Sequence, residues 1–83
     1  PNPFNPSTTI TYGLDIDSEV LITIYDITGK EITTLLNTEQ QQGWQSIEWN
    51  GTDYNNNQVP AGIYFGKITS NEQTKTVKLM LLK

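Results

Sequence analysis

For chemistry this chain offers nine carboxylates, and it has no imidazole and no thiol. Two groups of oxygens are spaced as a cation would need. Asp15, Asp17 and Glu19 form D-x-D-x-E, which presents alternate carboxylates much as a calcium loop does. Asp53, Asn55 and Asn57 match the first positions of such a loop, D-x-N-x-N. There, however, Gln58 stands where a Gly is needed, and Tyr64 where a bidentate Glu would close the shell. The plain alternatives are a solvated acidic loop for the first group and an Asx-rich turn for the second. No metal site is assigned on this footing, and calcium is the one cofactor worth testing. Glycoside hydrolysis would need a carboxylate pair about 5–10 Å apart across a cleft. Nine acids on a small surface supply such a pair by chance, and no deep cleft is expected at this size. The expectation is a protein with no catalytic residues.

The absences narrow the chemistry further. Without Cys there is no disulfide, thiolate nucleophile or zinc–thiolate centre. Without His there is no Ser-His-Asp triad and no imidazole ligand. Trp44, Trp49, Tyr54 and Tyr64 would suit sugar stacking if they formed one flat platform. The competing reading puts Trp49 and Tyr64 in the core or at a corner, beside turns, and leaves Trp44 and Tyr54 exposed. Asn50-Gly51-Thr52 matches a glycosylation sequon and reads more simply as a tight turn.

The elements that must carry these residues are strands. Twelve Thr and nine Ile against a single Ala argue against helices. Eighty-three residues make one small domain, which buries about 60–65% of the surface its unfolded chain exposes. Residues 1–8, with prolines at 1, 3 and 6, read as an extended leader anchored by Phe4, and residues 9–83 as the domain. Ile10, Tyr12 and Leu14 alternate with Thr9, Thr11 and Gly13 in a half-buried strand. Residues 15–19 read as a loop. Val20, Ile22 and Ile24 form one face of the next strand, and Leu21, Thr23 and Tyr25 a second. Asp26 to Lys30 is a turn in which Gly29 takes positive φ. The broken spacing of Ile32, Leu35 and Leu36 implies a bulge. Residues 37–43, polar and Gln-rich, read as a loop. Trp44 to Trp49 alternates again, Asn50 to Gln58 is dense turn with Gly51, and Gly62 opens the strand Ile63 to Ser70. After an Asn71-Glu72 turn, Thr74 to Leu82 closes the chain. Six or seven strands at this spacing predict an all-β, Ig-like antiparallel β-sandwich.

Five segments in register carry a family resemblance. They are P-N-P-F-N-P-S-T-T-I at 1–10, V-x-I-x-I-Y-D-x-x-G-K at 20–30, G-x-x-x-I-x-W-N-G-T-D at 43–53, V-P-A-G-I-Y-F at 59–65 and T-V-K-L-M-L-L-K at 76–83. Together they resemble the type A C-terminal sorting domain of the type IX, or Por, secretion system, over essentially the whole chain. Asn50 and Asn56-Asn57 depart from that pattern with turn-compatible residues. The resemblance implies a secreted or bacterial cell-surface protein whose label is recognised by the outer-membrane translocon and surface-attachment proteins.

The residues themselves agree with recognition by protein. The final segment Thr76, Val77, Lys78, Leu79, Met80, Leu81, Leu82 and Lys83 is too apolar for a free tail. Its longest unbroken apolar run, Leu79 to Leu82, is too short for a membrane span. Nor is there a basic start followed by an apolar stretch. A strand of this kind suits a sheet edge that pairs with its own domain or another protein. Lys67, Lys75 and Lys78 would blunt such an edge. A net charge of −4 with no Arg excludes nucleic acid as a partner. The first expectation is therefore a sorting and attachment domain. The alternative is an Ig-like subunit that self-associates through edge strands in an extracellular assembly or filament, with carbohydrate binding behind both.

Overall fold

The computed structural model describes residues 6–82 as six strands in two antiparallel sheets. They are β1 (Thr8–Leu14), β2 (Ser18–Asp26), β3 (Glu31–Gln40), β4 (Gly43–Trp49), β5 (Gly62–Ser70) and β6 (Gln73–Leu81). β1 and β4 make a two-stranded sheet, and the other four strands run in the order β3-β2-β5-β6. This is the all-β sandwich that the alternation predicts. Phe4, the remainder of residues 1–5, and Lys83 lie outside the described residues.

Period-2 patterning decides which side chains go inside. Ile10, Tyr12 and Leu14 from β1, Val20, Ile22 and Ile24 from β2, and Trp49 from β4 all enter the core. They meet Ile32, Val59, Tyr64, Ile68, Leu79 and Leu81 there. A buried aliphatic or aromatic side chain contributes about 1.5–3 kcal/mol through the water it sheds, so this cluster is the main term holding the sheets together. Trp49 and Tyr64 meet edge to face, ring centroids 5.0 Å apart. The Trp49 indole N–H donates to the Thr52 carbonyl (3.0 Å), and the Tyr64 hydroxyl to that of Pro60 (2.6 Å). Each buried ring thus finds a partner for its polar end while pinning a turn to the core. Burial raises the Tyr64 pKa, and the nearby Asp26 charge adds to that; burial also raises Tyr12.

Two glycines shape the core. Gly51 has φ +76°, and a Cβ there would stand 3.1 Å from the Leu81 side chain, so the bend after β4 closes directly onto β6. Gly66 has ordinary φ but faces Ile10, Val77 and Leu79 at 3.1–3.4 Å, which lets β1 settle against β5 and β6.

Four expectations need correction. Residues 37–40 are strand, not loop: Asn37, Thr38, Glu39 and Gln40 pair with Leu21, Val20, Glu19 and Ser18. Their polarity reflects an outer strand, where pairing with β2 outweighs weak β-propensity. For the same reason Ser18 and Glu19 belong to β2, which shortens the loop that precedes it. The strand at the N-terminal side already includes Thr8, and Pro6 is buried, so the ordered domain reaches into residues 6–8. Finally, Lys67 lies on β5, an interior strand, and cannot guard an edge; its ammonium instead sits 5.9 Å from the centre of the Tyr25 ring.

Candidate functional site

The two outer strands of the four-stranded sheet differ in regularity. β3 pairs with β2 through two register shifts, one between Ile22 and Thr23 and one between Ile24 and Tyr25. Leu35 and Ile32 are the extra residues, which places the bulge where the broken apolar spacing predicts it. β6, by contrast, pairs with β5 over nine consecutive residues without a shift, from Ser70↔Gln73 to Gly62↔Leu81. Among the described residues, no strand lies on its other side. Leu79 and Leu81 point into the core, while Thr74, Thr76, Lys78 and Met80 stand on the outer face.

The Asn71-Glu72 turn tells which β6 main-chain groups are free. Both residues have positive φ (48° and 64°), the geometry of a two-residue hairpin turn of mirror type. In such a hairpin the flanking pair, Ser70 and Gln73, exchanges both hydrogen bonds, and the pattern then alternates. Lys75, Val77, Leu79 and Leu81 therefore spend their N–H and C=O groups on β5. Those of Thr74, Thr76, Lys78 and Met80 point away from the sheet. Beside them lies an apolar strip: Met80 is 49% exposed, opposite Ile63, with Leu82 at 68% just beyond. Exposed Ile27 continues it across an open groove of about 460 Å³ that includes Pro60, Ala61 and Ile63.

The other sequence candidates are placed as follows. Asp53 Oδ1 accepts from the amides of Asn55 (2.9 Å) and Asn57 (3.0 Å), so all three residues serve an Asx turn, with the Asn residues contributing N–H rather than side-chain oxygen. Asp17 Oδ1 accepts from the amide of Gln42 (2.8 Å), tying the β1–β2 connection to the β3–β4 connection. Among the described residues, no three Asp or Glu carboxylates gather closely enough to hold a metal ion. Gly29, Gly51 and Gly62 carry φ of 88°, 76° and 148°. Thr52 Oγ1 donates to Asn50 Oδ1 (2.6 Å), closing the sequon as a turn.

The aromatic platform is not assembled. Trp49 and Tyr64 are in the core, Trp44 lies over Gly13 on the outside of the two-stranded sheet, and Tyr54 sits in the turn beyond the opposite end of β4. The residues around Tyr54 were not legible as a group. The Tyr54 amide donates to the Ile32 carbonyl, and the Tyr54 hydroxyl meets Thr34 and Glu31 beside a cleft of about 390 Å³ lined also by Asp26, Asp53 and Tyr64. The hydrogen bond to Glu31 raises the Tyr54 pKa. Only a long-range pairing of turn and strand brings these residues together, and no local spacing signals it.

The six strands in two antiparallel sheets define an Ig-like β-sandwich. Residues 5–74 match the FlgD Ig-like domain model, and the chain belongs to that family. Its fold is similar to FlgD from P. aeruginosa, at 25% identity and TM-score 0.73, covering 90% of this chain and 59% of that one. It is also similar to FlgD from Xanthomonas campestris, a protein described as capping the hook in flagellar assembly. There the identity is 26%, the TM-score 0.72 and the coverage 93% and 56%. The chain thus spans less than two thirds of either FlgD. Dimeric latent PorU from Porphyromonas gingivalis shares the fold at 24% identity and TM-score 0.66, covering 99% of this chain and 8% of PorU. None of the curated proteins matches the sequence. The family shown is the FlgD Ig-like one; the finer resemblance to a type IX sorting domain is not shown by these likenesses.

Proposed function

We propose that this domain is a non-catalytic assembly module of an exported, extracellular protein, and that it joins copies of its own chain through free strand edges. The observation that carries this reading is the long, unbulged outer edge of β6, bordered by exposed Met80 and Leu82. Natural sheets usually shorten, bulge or cover such an edge, because an open one recruits further strands. Kinship with FlgD Ig-like domains supports a structural role over a catalytic one. The test is light scattering and electron microscopy of the 83-residue chain up to about 1 mM, where a contact worth about 4 kcal/mol becomes visible. Concentration-dependent oligomers or fibres are expected. A monomer throughout overturns self-association.

A second reading, recognition of the final strand by an export apparatus, is favoured by the five family-like segments and by exposure of Thr76, Lys78, Met80 and Leu82. Its test removes residues 76–83 from an otherwise intact exported protein. Failure of export with a folded upstream part supports that reading, and unchanged export removes it.

A further inference from the structure

The charge on β6 is unlike that of the rest of the chain. All nine Asp and Glu residues precede Gln73, and between Gln73 and Leu81 the only charges are Lys75 and Lys78. A protein of net charge −4 thus presents, at an edge that no other strand covers among the described residues, a strand whose two charges are both basic. Lys78 stands on the outer face opposite Phe65 and diagonal to Lys67 of β5, so the basic character there extends one strand inward. Lys75 stands on the inner face, at a crevice of about 160 Å³ between β1 and the start of β6 that includes Tyr12, Ile68 and Thr74. Val77 on the inner face is half-buried, and Met80 on the outer face is exposed.

We infer that the β6 edge accepts an extended acidic strand from a protein partner, with acidic side chains opposite Lys78 and Lys75 and apolar ones opposite Met80 and Val77. This rests on the edge-pairing reading above and names the chemistry of the partner. Main-chain bonds to Thr74, Thr76, Lys78 and Met80 supply affinity that is indifferent to sequence. The lysines supply the choice. Two β6 strands laid together would bring four ammonium groups to one seam with no carboxylate, whereas an acidic strand converts the same groups into cross-strand pairs. The device that keeps like edges apart is therefore also the one that selects the partner, so copies of the chain that join set β6 of one against a different edge of the next.

The experiment uses two ten-residue Thr/Val peptides offered to the 83-residue chain. One has Glu at its fourth and seventh positions and Val at its second and fifth, the antiparallel match to β6. The other has Lys in place of both Glu. NMR shifts and amide exchange are followed residue by residue. The acidic peptide is expected to protect the amides of Thr74, Thr76, Lys78 and Met80, to bind about tenfold tighter than its basic twin, and to weaken with salt. In the double variant Lys75→Glu, Lys78→Glu the preference should reverse. Both lysines are exposed, so the variant keeps the core intact. Equal binding of the two peptides overturns the inference, as do shifts confined to β1, β3 or β4, or a preference that survives the charge reversal. If the chain is monomeric yet the acidic peptide docks on β6, self-association alone has failed. Assembly of the chain with neither peptide docking on β6 removes this inference and leaves the proposed function standing.

Discussion

The four-stranded sheet is two hairpins side by side, and they are built by different means. In the first, β2 turns into β3 through a side chain: Asp26 Oδ1 accepts from the Thr28 amide (2.8 Å), the Thr28 hydroxyl (2.6 Å) and the Lys30 amide (3.0 Å). Its outer arm is bulged twice and carries Glu31 and Glu39. In the second, β5 turns into β6 through the left-handed backbone of Asn71 and Glu72, with the Asn71 side-chain amide donating to Ser18 Oγ on β2 (2.9 Å), and its outer arm runs straight. Bulges increase local twist and leave a residue unpaired, which spoils a strand as a template. A straight arm remains available for pairing. One sheet thus has a closed side and an open side, and the difference follows from local residue choices rather than from the overall fold.

The largest effect expected from a single change lies under the open arm. Leu81 is fully buried and fills the space against Gly51, so Leu81→Ala should cost about 3–5 kcal/mol. That is a large share of the stability of a domain this small. The equivalent truncation on the closed arm, Leu35→Ala at a half-buried bulge, should cost about 1 kcal/mol. Urea unfolding of both variants checks the contrast. Similar losses would mean that the arms are anchored alike.

That asymmetry also marks how far the sequence could be read. Strands with one buried face were legible: Ile10, Tyr12 and Leu14, or Val20, Ile22 and Ile24, alternate because half of each strand must leave water. The bulge was legible for the opposite reason, since Ile32, Leu35 and Leu36 break that period. Residues 37–40 were not, because an outer strand exposed to solvent has no apolar beat and exists only through its pairing with β2. Strand order is likewise tertiary. Nothing local to Lys67 says that β6 will lie outside it, so its charge reads like those of Lys75 and Lys78. At the candidate site, the exposed apolar and basic side chains of β6 were visible in advance. The regularity of its edge, and the groups left free by the Asn71-Glu72 turn, were not.

A smaller effect, of opposite sign in the two turns, would sharpen the comparison. Glu72 holds a left-handed conformation that costs an ordinary residue about 1–2 kcal/mol, and glycine escapes most of that cost. Glu72→Gly produces an Asn-Gly turn and should stabilise by about 0.5–1 kcal/mol. Gly29 already occupies such a position in the other turn, with open space around it, so Gly29→Ala should destabilise by about 1 kcal/mol through backbone strain alone. Thermal midpoints moving in opposite directions are the expected result. A fall for Glu72→Gly would show that the Glu72 side chain contributes more than its conformation costs.

The smallest expected effect separates the hairpins by acidity. The Thr28 hydroxyl bond holds the Asp26 carboxyl below its ordinary value; desolvation opposes this, and the amides of Lys30 and Thr28 and the Lys30 charge reinforce it. A carboxyl whose folded pKa is depressed contributes stability that is complete above its unfolded pKa, about 3.9, and is lost as pH falls through the folded one. Acidification from about pH 5 to about pH 2 should therefore loosen the β2–β3 turn through Asp26, whereas among the described hydrogen bonds none in the β5–β6 turn is accepted by a side-chain carboxylate. Asp26→Asn keeps an oxygen that can accept the same bonds but carries no charge at any pH. Its thermal midpoint should fall less steeply on acidification than that of the parent protein, and subtracting the two curves removes the contribution of the other carboxylates. Amide exchange then locates the change: Thr28 and Lys30 should lose protection first, with Val77 and Leu79 keeping theirs. Equal early exchange in β6 would show that the hairpins open as one unit, and the division into a closed and an open side would have no energetic counterpart.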